Sequence, residues 1–143
     1  MENINYDDSK KDLPVDQLYR IFKLVGWMDE AKTTPEMLKN FNLPFINSTL
    51  VISAWKNDKL IGVVRVLSDK MFRSIIYDLA VDPEFHSNGI GRNLIKRCIE
   101  HYPKSEWLVG TEEHIAGFYE KIGFKRFDDR NGVILGIPPK FYT

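Results

Sequence analysis

The sequence holds a single cysteine, Cys98. One thiol cannot close an internal disulfide, and such sparse usage fits a reducing compartment. Charge of one sign is also missing. Lys and Arg number 20 and Asp and Glu number 20, so the net charge is zero. A balanced chain has no field drawing it to nucleic acid or to a membrane surface, and neither is expected as a partner. No apolar run approaches the roughly 20 residues that span a bilayer. The opening "MENINYDDSKKDL" is polar and lacks the apolar centre of a signal peptide. The expected location is therefore cytoplasmic. Internal repeats and low-complexity linkers are absent as well. A chain of 143 residues, 43% hydrophobic, fits one domain over 1–143 with a core of its own.

Hydrophobic periodicity sets out the elements. "INYDDS" reads as a short first strand. In "PVDQLYRIFKLVGW", Val15, Leu18, Ile21, Phe22 and Val25 recur at helical spacing, with Gly26 near the end. "TTPEMLKNF" reads as a second short helix, with Thr34 as cap and Pro35 in its first turn. "STLVISAWKND" and "KLIGVVRVLSD" are rich in β-branched residues and meet at the turn "KNDK"; "RSIIYDLAVD" is a third strand, broken by Asp82-Pro83. A helix from about Gly89 to Tyr102 carries Ile90, Leu94, Ile95, Cys98 and Ile99 on one face. "EWLVGT" is a further strand. "EEHIAGFYEKIG" is a helix with Ile115, Phe118 and Ile122 as its apolar stripe and Gly123 as C-cap. "FKRFDD" and "VILGI" read as a closing pair of strands around "RNG". The order implies an α/β (α+β) fold: a mixed, mostly antiparallel sheet covered by helices.

Chemistry concentrates in "FHSNGIGRNLI", where Gly89 and Gly91 stand at the opening of a helix. Glycine weakens a helix by about 0.5–1 kcal/mol relative to alanine, so its presence there needs a reason. The free N–H groups and positive dipole end of a helix bind phosphate, and glycine clears the approach. A tight turn requiring positive φ would use glycine equally well. Spacing alone does not separate the two readings. A Walker lysine or a three-glycine dinucleotide loop is absent, which argues against other nucleotide binders.

The wider stretch "YDLAVDPEFHSNGIGRNLI" resembles the acetyl-CoA-binding signature of the GCN5-related N-acetyltransferase (GNAT) superfamily: a strand, a V-x-P loop, then Gln/Arg-x-x-Gly-x-Gly/Ala opening a helix. "FYEKIGFKRF" resembles the superfamily's second motif, a helix tyrosine just before "EK-hydrophobic-GF". One strand separates the two pieces, as in the superfamily. Two positions depart from it: His86 stands where Gln or Arg is usual, and Glu112 where many members have asparagine.

The resemblance implies a GNAT-like fold with splayed central strands. It also implies direct transfer of acetyl from acetyl-CoA to an amine of a small molecule or peptide end, without metal. The backbone of Leu79, Ala80 and Val81 would pair with the donor's pantetheine arm, as a strand adds to a sheet edge. The N–H groups of His86, Ser87, Asn88, Gly89, Ile90, Gly91 and Arg92 would hold its pyrophosphate, with Arg92 and Lys96 near the phosphates or merely solvated. An N–H near Leu79 would stabilise the thioester oxygen. Tyr119 would be the general acid for the departing thiolate, since tyrosine ordinarily titrates near pH 10 and is protonated at neutrality.

The general base is open among Asp78, Glu30, Glu113 and water. Strand alternation places Asp78 and Tyr77 on opposite faces. Cys98 lies on the apolar face of its helix and reads as core, and His101 and His114 lack metal-ligand spacing. The acceptor site falls to "GWMDEAKTTPE" and the following "LPF", where Trp27 and Phe45 either bind the amine or pack, and Asp29 or Glu30 either attract its charge or stay solvated. A non-catalytic acyl-CoA sensor or scaffold of the same fold is the alternative, and it would not need Tyr119. A homodimer is left open.

Overall fold

The computed structural model describes residues 3–127 and 134–140. The chain forms two compact units, Met1–Thr111 and Glu112–Thr143. The first unit begins with β1 (Asn5–Asp7) and α1 (Val15–Leu24), which starts just after Pro14. Two short helices follow, α2 (Pro35–Lys39) and α3 (Leu43–Ile46). Thr34 caps α2 as expected, its hydroxyl accepting the Met37 N–H at 3.1 Å. Three long strands come next, β2 (Leu50–Lys56), β3 (Lys59–Ser68) and β4 (Arg73–Val81), then α4 (Ile90–His101) and β5 (Glu106–Val109).

The sheet runs in the order β1-β2-β3-β4-β5. Its first four strands are antiparallel neighbours, and β5 lies parallel to β4. This is the mixed sheet the sequence implies. Side chains fix both hairpins. Asn57 takes φ +54° in the β2–β3 turn. There Gln17 of α1 donates to the Asp58 carbonyl at 3.0 Å and accepts the Leu60 N–H at 2.6 Å. In the β3–β4 turn the Asp69 carboxylate accepts N–H bonds from Met71, Phe72 and Arg73 at 2.8, 2.7 and 3.0 Å.

Helices cover both faces. Leu18, Ile21 and Phe22 of α1 are buried with Phe45, Val51, Leu60, Val63 and Ala80. On the face presented by Gly62, α4 buries Ile90, Leu94, Ile95 and Cys98. Each such side chain contributes about 1.5–3 kcal/mol. Burial pushes the Cys98 thiol up to about 12, so it stays protonated and is part of the core.

In the second unit a 3-10 turn, Glu113–Ile115, leads into α5 (Ala116–Ile122), which ends at Gly123 with φ +122°. The expected stripe is displaced. Ile115 is 40% exposed because it sits in the 3-10 turn before the helix, while Tyr119 is buried at 6%. The expected closing strands do not appear in the described parts of their segments: 124–127 and 134–137 carry no strand, and the turn between them lies outside the described residues.

One carboxylate ties the first unit together. Asp82, buried between β4 and the following turn, accepts an Arg20 Nη1 bond at 2.9 Å and the Glu84 N–H at 3.0 Å. Arg20 also donates to the Leu60 carbonyl at 2.6 Å. Burial raises the Asp82 pKa, but the Arg20 hydrogen bond, the Glu84 N–H and the Arg20 and Lys59 charges outweigh it and hold it below the ordinary 3.8. A lowered carboxyl pKa adds stability above the ordinary value that is lost as pH falls through the folded-state value. We expect Asp82→Asn to lower stability in urea at pH 7 by about 1–3 kcal/mol. The difference from wild type should shrink below pH 3.8. A constant difference across that range would show that the charge is irrelevant.

Candidate active site

The site starts in an irregularity of β4. Val63 pairs with Ala80 and Arg65 with Tyr77, so Asp78 and Leu79 together face the single residue Val64. This is a β-bulge, a device common beside functional sites. Asp78 takes φ +51°, a left-handed conformation unusual for a residue with a side chain. The bulge also overturns the expected alternation. Tyr77 and Asp78 both reach Arg65, the Tyr77 ring centre at 5.2 Å from its guanidinium carbon and the Asp78 carboxylate accepting from its Nε.

The opposite edge of β4 opens at the same place. Pairing with β5 runs from Arg73↔Glu106 to Ile76↔Val109 and stops. β4 continues to Val81, still joined to β3 through Val81↔Gly62. Among the described residues, the backbone of Tyr77–Val81 thus has no strand neighbour on the β5 side. Leu79 and Val81 are half-buried and Ala80 is buried. This parting is the splay the resemblance implies.

The end of β4 runs straight into a 3-10 turn, Pro83–Asn88, and then α4. His86, Ser87, Asn88, Gly89 and Arg92 are exposed there, Gly91 is half-buried, and Ile90 is in the core. The Asn93 N–H is bonded to the Gly89 carbonyl at 3.0 Å. The N–H groups of Ile90, Gly91 and Arg92 precede it and have no carbonyl within the helix. The imidazole Nε2 of His86 lies 3.0 Å from the Val81 carbonyl, which can only accept, so Nε2 carries the proton. His86 therefore ties the turn to the end of β4.

Gly89 answers the question its spacing raises. It takes φ +70°, and a Cβ built there meets nothing within 4 Å. The glycine serves conformation, and it leaves the approach to the helix end clear. Gly62 does something different, which the sequence did not disclose. A Cβ there would lie 2.9 Å from Ile90 Cγ2 and 3.2 Å from Leu94 Cδ1. Its missing side chain lets the first turn of α4 settle against β3 beside the end of β4. The sequence marked Asp82 only as a strand breaker and passed over Arg20 and Arg65, because their roles depend on partners distant along the chain.

Tyr119 belongs to the second unit. Its ring packs edge-on against Phe118 and Phe124, with centroids 5.0 and 5.4 Å away. The three carboxylate candidates for general base are all ion-paired: Asp78 with Arg65, Glu30 with Lys23 at 3.4 Å, and Glu113 with Arg126 at 2.6 and 3.0 Å. The Arg126 hydrogen bonds hold the Glu113 carboxyl below its ordinary value. Glu112 lies 3.3 Å from the His114 ring.

The acceptor candidates divide. Phe45 is only 1% exposed, packed with Phe22 and under Arg65, so it is core and not a contact for substrate. Trp27 is 49% exposed, edge-on to Phe22 at 5.2 Å. Asp29 caps a 3-10 turn, Glu30–Lys32, by accepting the Lys32 N–H at 2.9 Å. Among the described residues no group of His, Cys, Asp or Glu side chains could hold a metal, and no helix is long and apolar enough to cross a membrane.

Comparison with known proteins agrees with this geometry. A family model, the acetyltransferase (GNAT) domain, matches residues 28–138. The uncharacterized N-acetyltransferase ycf52 of Pyropia yezoensis is 29% identical over 131 residues, covering 87% of this chain and 72% of that protein. GCN5-related N-acetyltransferase 1, chloroplastic, of Arabidopsis thaliana is 29% identical over 78% of this chain, which spans 56% of that protein. A GNAT family structure from Streptococcus pneumoniae matches with a TM-score of 0.76 at 20% identity, covering 96% of this chain and 99% of that one, a likeness of fold.

The geometry at position 89 gives a direct test with acetyl-CoA. A ligand at 100 times its Kd stabilises by about 2.7 kcal/mol when it binds only the native state. We expect Gly89→Val to lose most of the melting-temperature gain that acetyl-CoA gives the wild type. Gly89→Asn, which tolerates positive φ, should keep more of it. Equal gains in all three proteins would remove the turn from the binding site.

Proposed function

Because the chain belongs to the acetyltransferase (GNAT) family, we propose that it moves an acetyl group from acetyl-CoA directly to the amine of a small molecule or a peptide end. We read residues 1–143 as one N-acetyltransferase domain. The observation that carries this is the release of β4 from β5 beyond Ile76, immediately before the Gly89 turn. An open strand edge suits an extended chain bearing amides. A helix N-terminus with free N–H groups and no side chain at Gly89 suits a diphosphate.

When bound, acetyl-CoA supplies an acyl group activated as a thioester. The chain's own residues do the rest. The backbone of Leu79, Ala80 and Val81 orients the extended arm, and the N–H groups from His86 to Arg92 hold the diphosphate. Leu79, in the bulge and without a register partner, offers its N–H to the carbonyl oxygen as charge builds there. A preorganised donor of this kind contributes about 3 kcal/mol. Tyr119 holds a proton at Oη and releases it to the departing sulfur. Asp78, Glu30 and Glu113 are each already engaged by a cation, and the Arg126 hydrogen bonds hold the Glu113 carboxyl below its ordinary value. Water takes the amine's proton.

The loop from Trp27 to Pro35 sets the choice of acceptor, with the half-exposed Trp27 as its contact. A screen of acetyl-CoA turnover across polyamines, amino acids, aminoglycosides, arylalkylamines and peptide N-termini, followed by thiol release, tests the activity. Release independent of every amine would defeat the proposal. With an acceptor in hand, Trp27→Ala should raise the KM for the amine several-fold more than that for acetyl-CoA. Equal changes would move the acceptor site elsewhere.

Tyr119→Phe is expected to lower kcat by about 10²-fold, the lower range for general acid catalysis. The KM for acetyl-CoA should change far less, since a proton given in the transition state adds little to ground-state binding. An unchanged kcat under rate-limiting chemistry would exclude the acid role.

A further inference from the structure

Arg65 is held from several sides. Its guanidinium carbon lies 5.9 Å from the centre of the Phe45 ring and 5.2 Å from that of Tyr77. Its Nη1 lies 3.5 Å from the hydroxyl of Ser48, which itself donates to the Pro44 carbonyl at 2.6 Å. Phe45 and Ser48 are buried, so this end of the cradle is part of the core. The Asp78 carboxylate accepts from Nε of the same Arg65. In a regular strand Tyr77 and Asp78 would point to opposite faces. Here the extra residue of the bulge and the φ of +51° at Asp78 bring both to one cation.

The pair is half-open to solvent, with side-chain exposures of 19% and 32%. Ion pairs at such exposure add little to global stability. Their effect here is conformational, because a left-handed aspartate relaxes readily to ordinary strand geometry once its side chain is released. A one-residue slip in a strand turns every following side chain and N–H to the other side. Leu79, Ala80 and Val81 follow directly.

We infer that Arg65 is a positioning residue for acyl transfer: it clamps Asp78 in its left-handed conformation and so fixes the bulge that leaves Leu79 without a register partner on β3. This rests on the acetyl-transfer reading above. Glycine adopts positive φ without a clamp. Substituting glycine at 78 therefore separates the clamp from any other role of Arg65.

The test uses Arg65→Met, Asp78→Ala, Asp78→Gly and the Arg65→Met/Asp78→Gly double variant, each checked for folding by circular dichroism. Arg65→Met should lower kcat about tenfold with the KM for acetyl-CoA changed less than about threefold. The double variant should recover to within about threefold of wild type. Amide spectra of the free protein supply a reading independent of turnover. The Leu79 and Ala80 resonances should move in Arg65→Met and return in the double variant. An undiminished kcat, unmoved resonances, or failure of glycine to restore either would overturn the inference. If Arg65→Met does not fold, the comparison at 78 decides: Asp78→Ala must lose more kcat than Asp78→Gly, and the reverse order would overturn it. A wild type that acetylates no amine would sink the acetyl-transfer reading instead, and the free-protein spectra would still decide the clamp.

Discussion

A β-strand that lets go of a neighbour must do something with the hydrogen-bonding groups it frees. Left dry and unpaired, each costs about 1–3 kcal/mol. β4 is in this position. β3 holds it along one side to Val81, whereas β5 pairs only as far as Ile76. Among the described residues, those that follow have no strand on that side, and His86 bonds the Val81 carbonyl, so the groups from Tyr77 to Ala80 left unpaired suit water or a ligand. That requirement gives meaning to the rest of the first unit, which is arranged to hold a half-paired strand still.

Three devices do the holding, two at the end of β4 and one in its middle. At its end, the buried Asp82 gathers Arg20 of α1 and the Glu84 N–H, while its own N–H donates to the Ile61 carbonyl at 2.8 Å. Beside it, the missing side chain of Gly62 lets Ile90 and Leu94 press α4 onto β3 where β3 pairs with Val81. In its middle, Asp78 of the bulge is held by Arg65. A buried charge with several hydrogen bonds has few alternative arrangements, because any other leaves a group unsatisfied. The open edge is thus flanked by rigid points.

Much of this was legible in the sequence and some was not, for physical reasons. Helical spacing disclosed α1 and α4, and β-branched runs disclosed β2, β3 and β4, because those patterns are local. Gly89 was legible because a backbone demand leaves a glycine behind. The helix α3, over Leu43–Ile46, is too short to show a period. Phe45 stood open between substrate and packing, because whether an aromatic side chain faces the core depends on the sheet beneath it. The bulge leaves no compositional mark, so alternation misplaced Asp78. Arg20 finds Asp82 62 residues away, and Arg65 finds Asp78 across a hairpin 13 residues away. Pairings of that kind are decided by topology.

The same division explains what the site is made of. Backbone N–H and carbonyl groups face the open edge and the helix end, and every residue except proline carries both. Side-chain identity there is loosely constrained. His86 stands where Gln or Arg is usual and ties the turn to the Val81 carbonyl instead. Specific side chains are needed where backbone must be held in an uncommon shape: glycine at φ +70°, aspartate at φ +51° with its arginine, aspartate buried after the strand. Along this open edge, then, these side chains act on the chain itself and fix the backbone it presents.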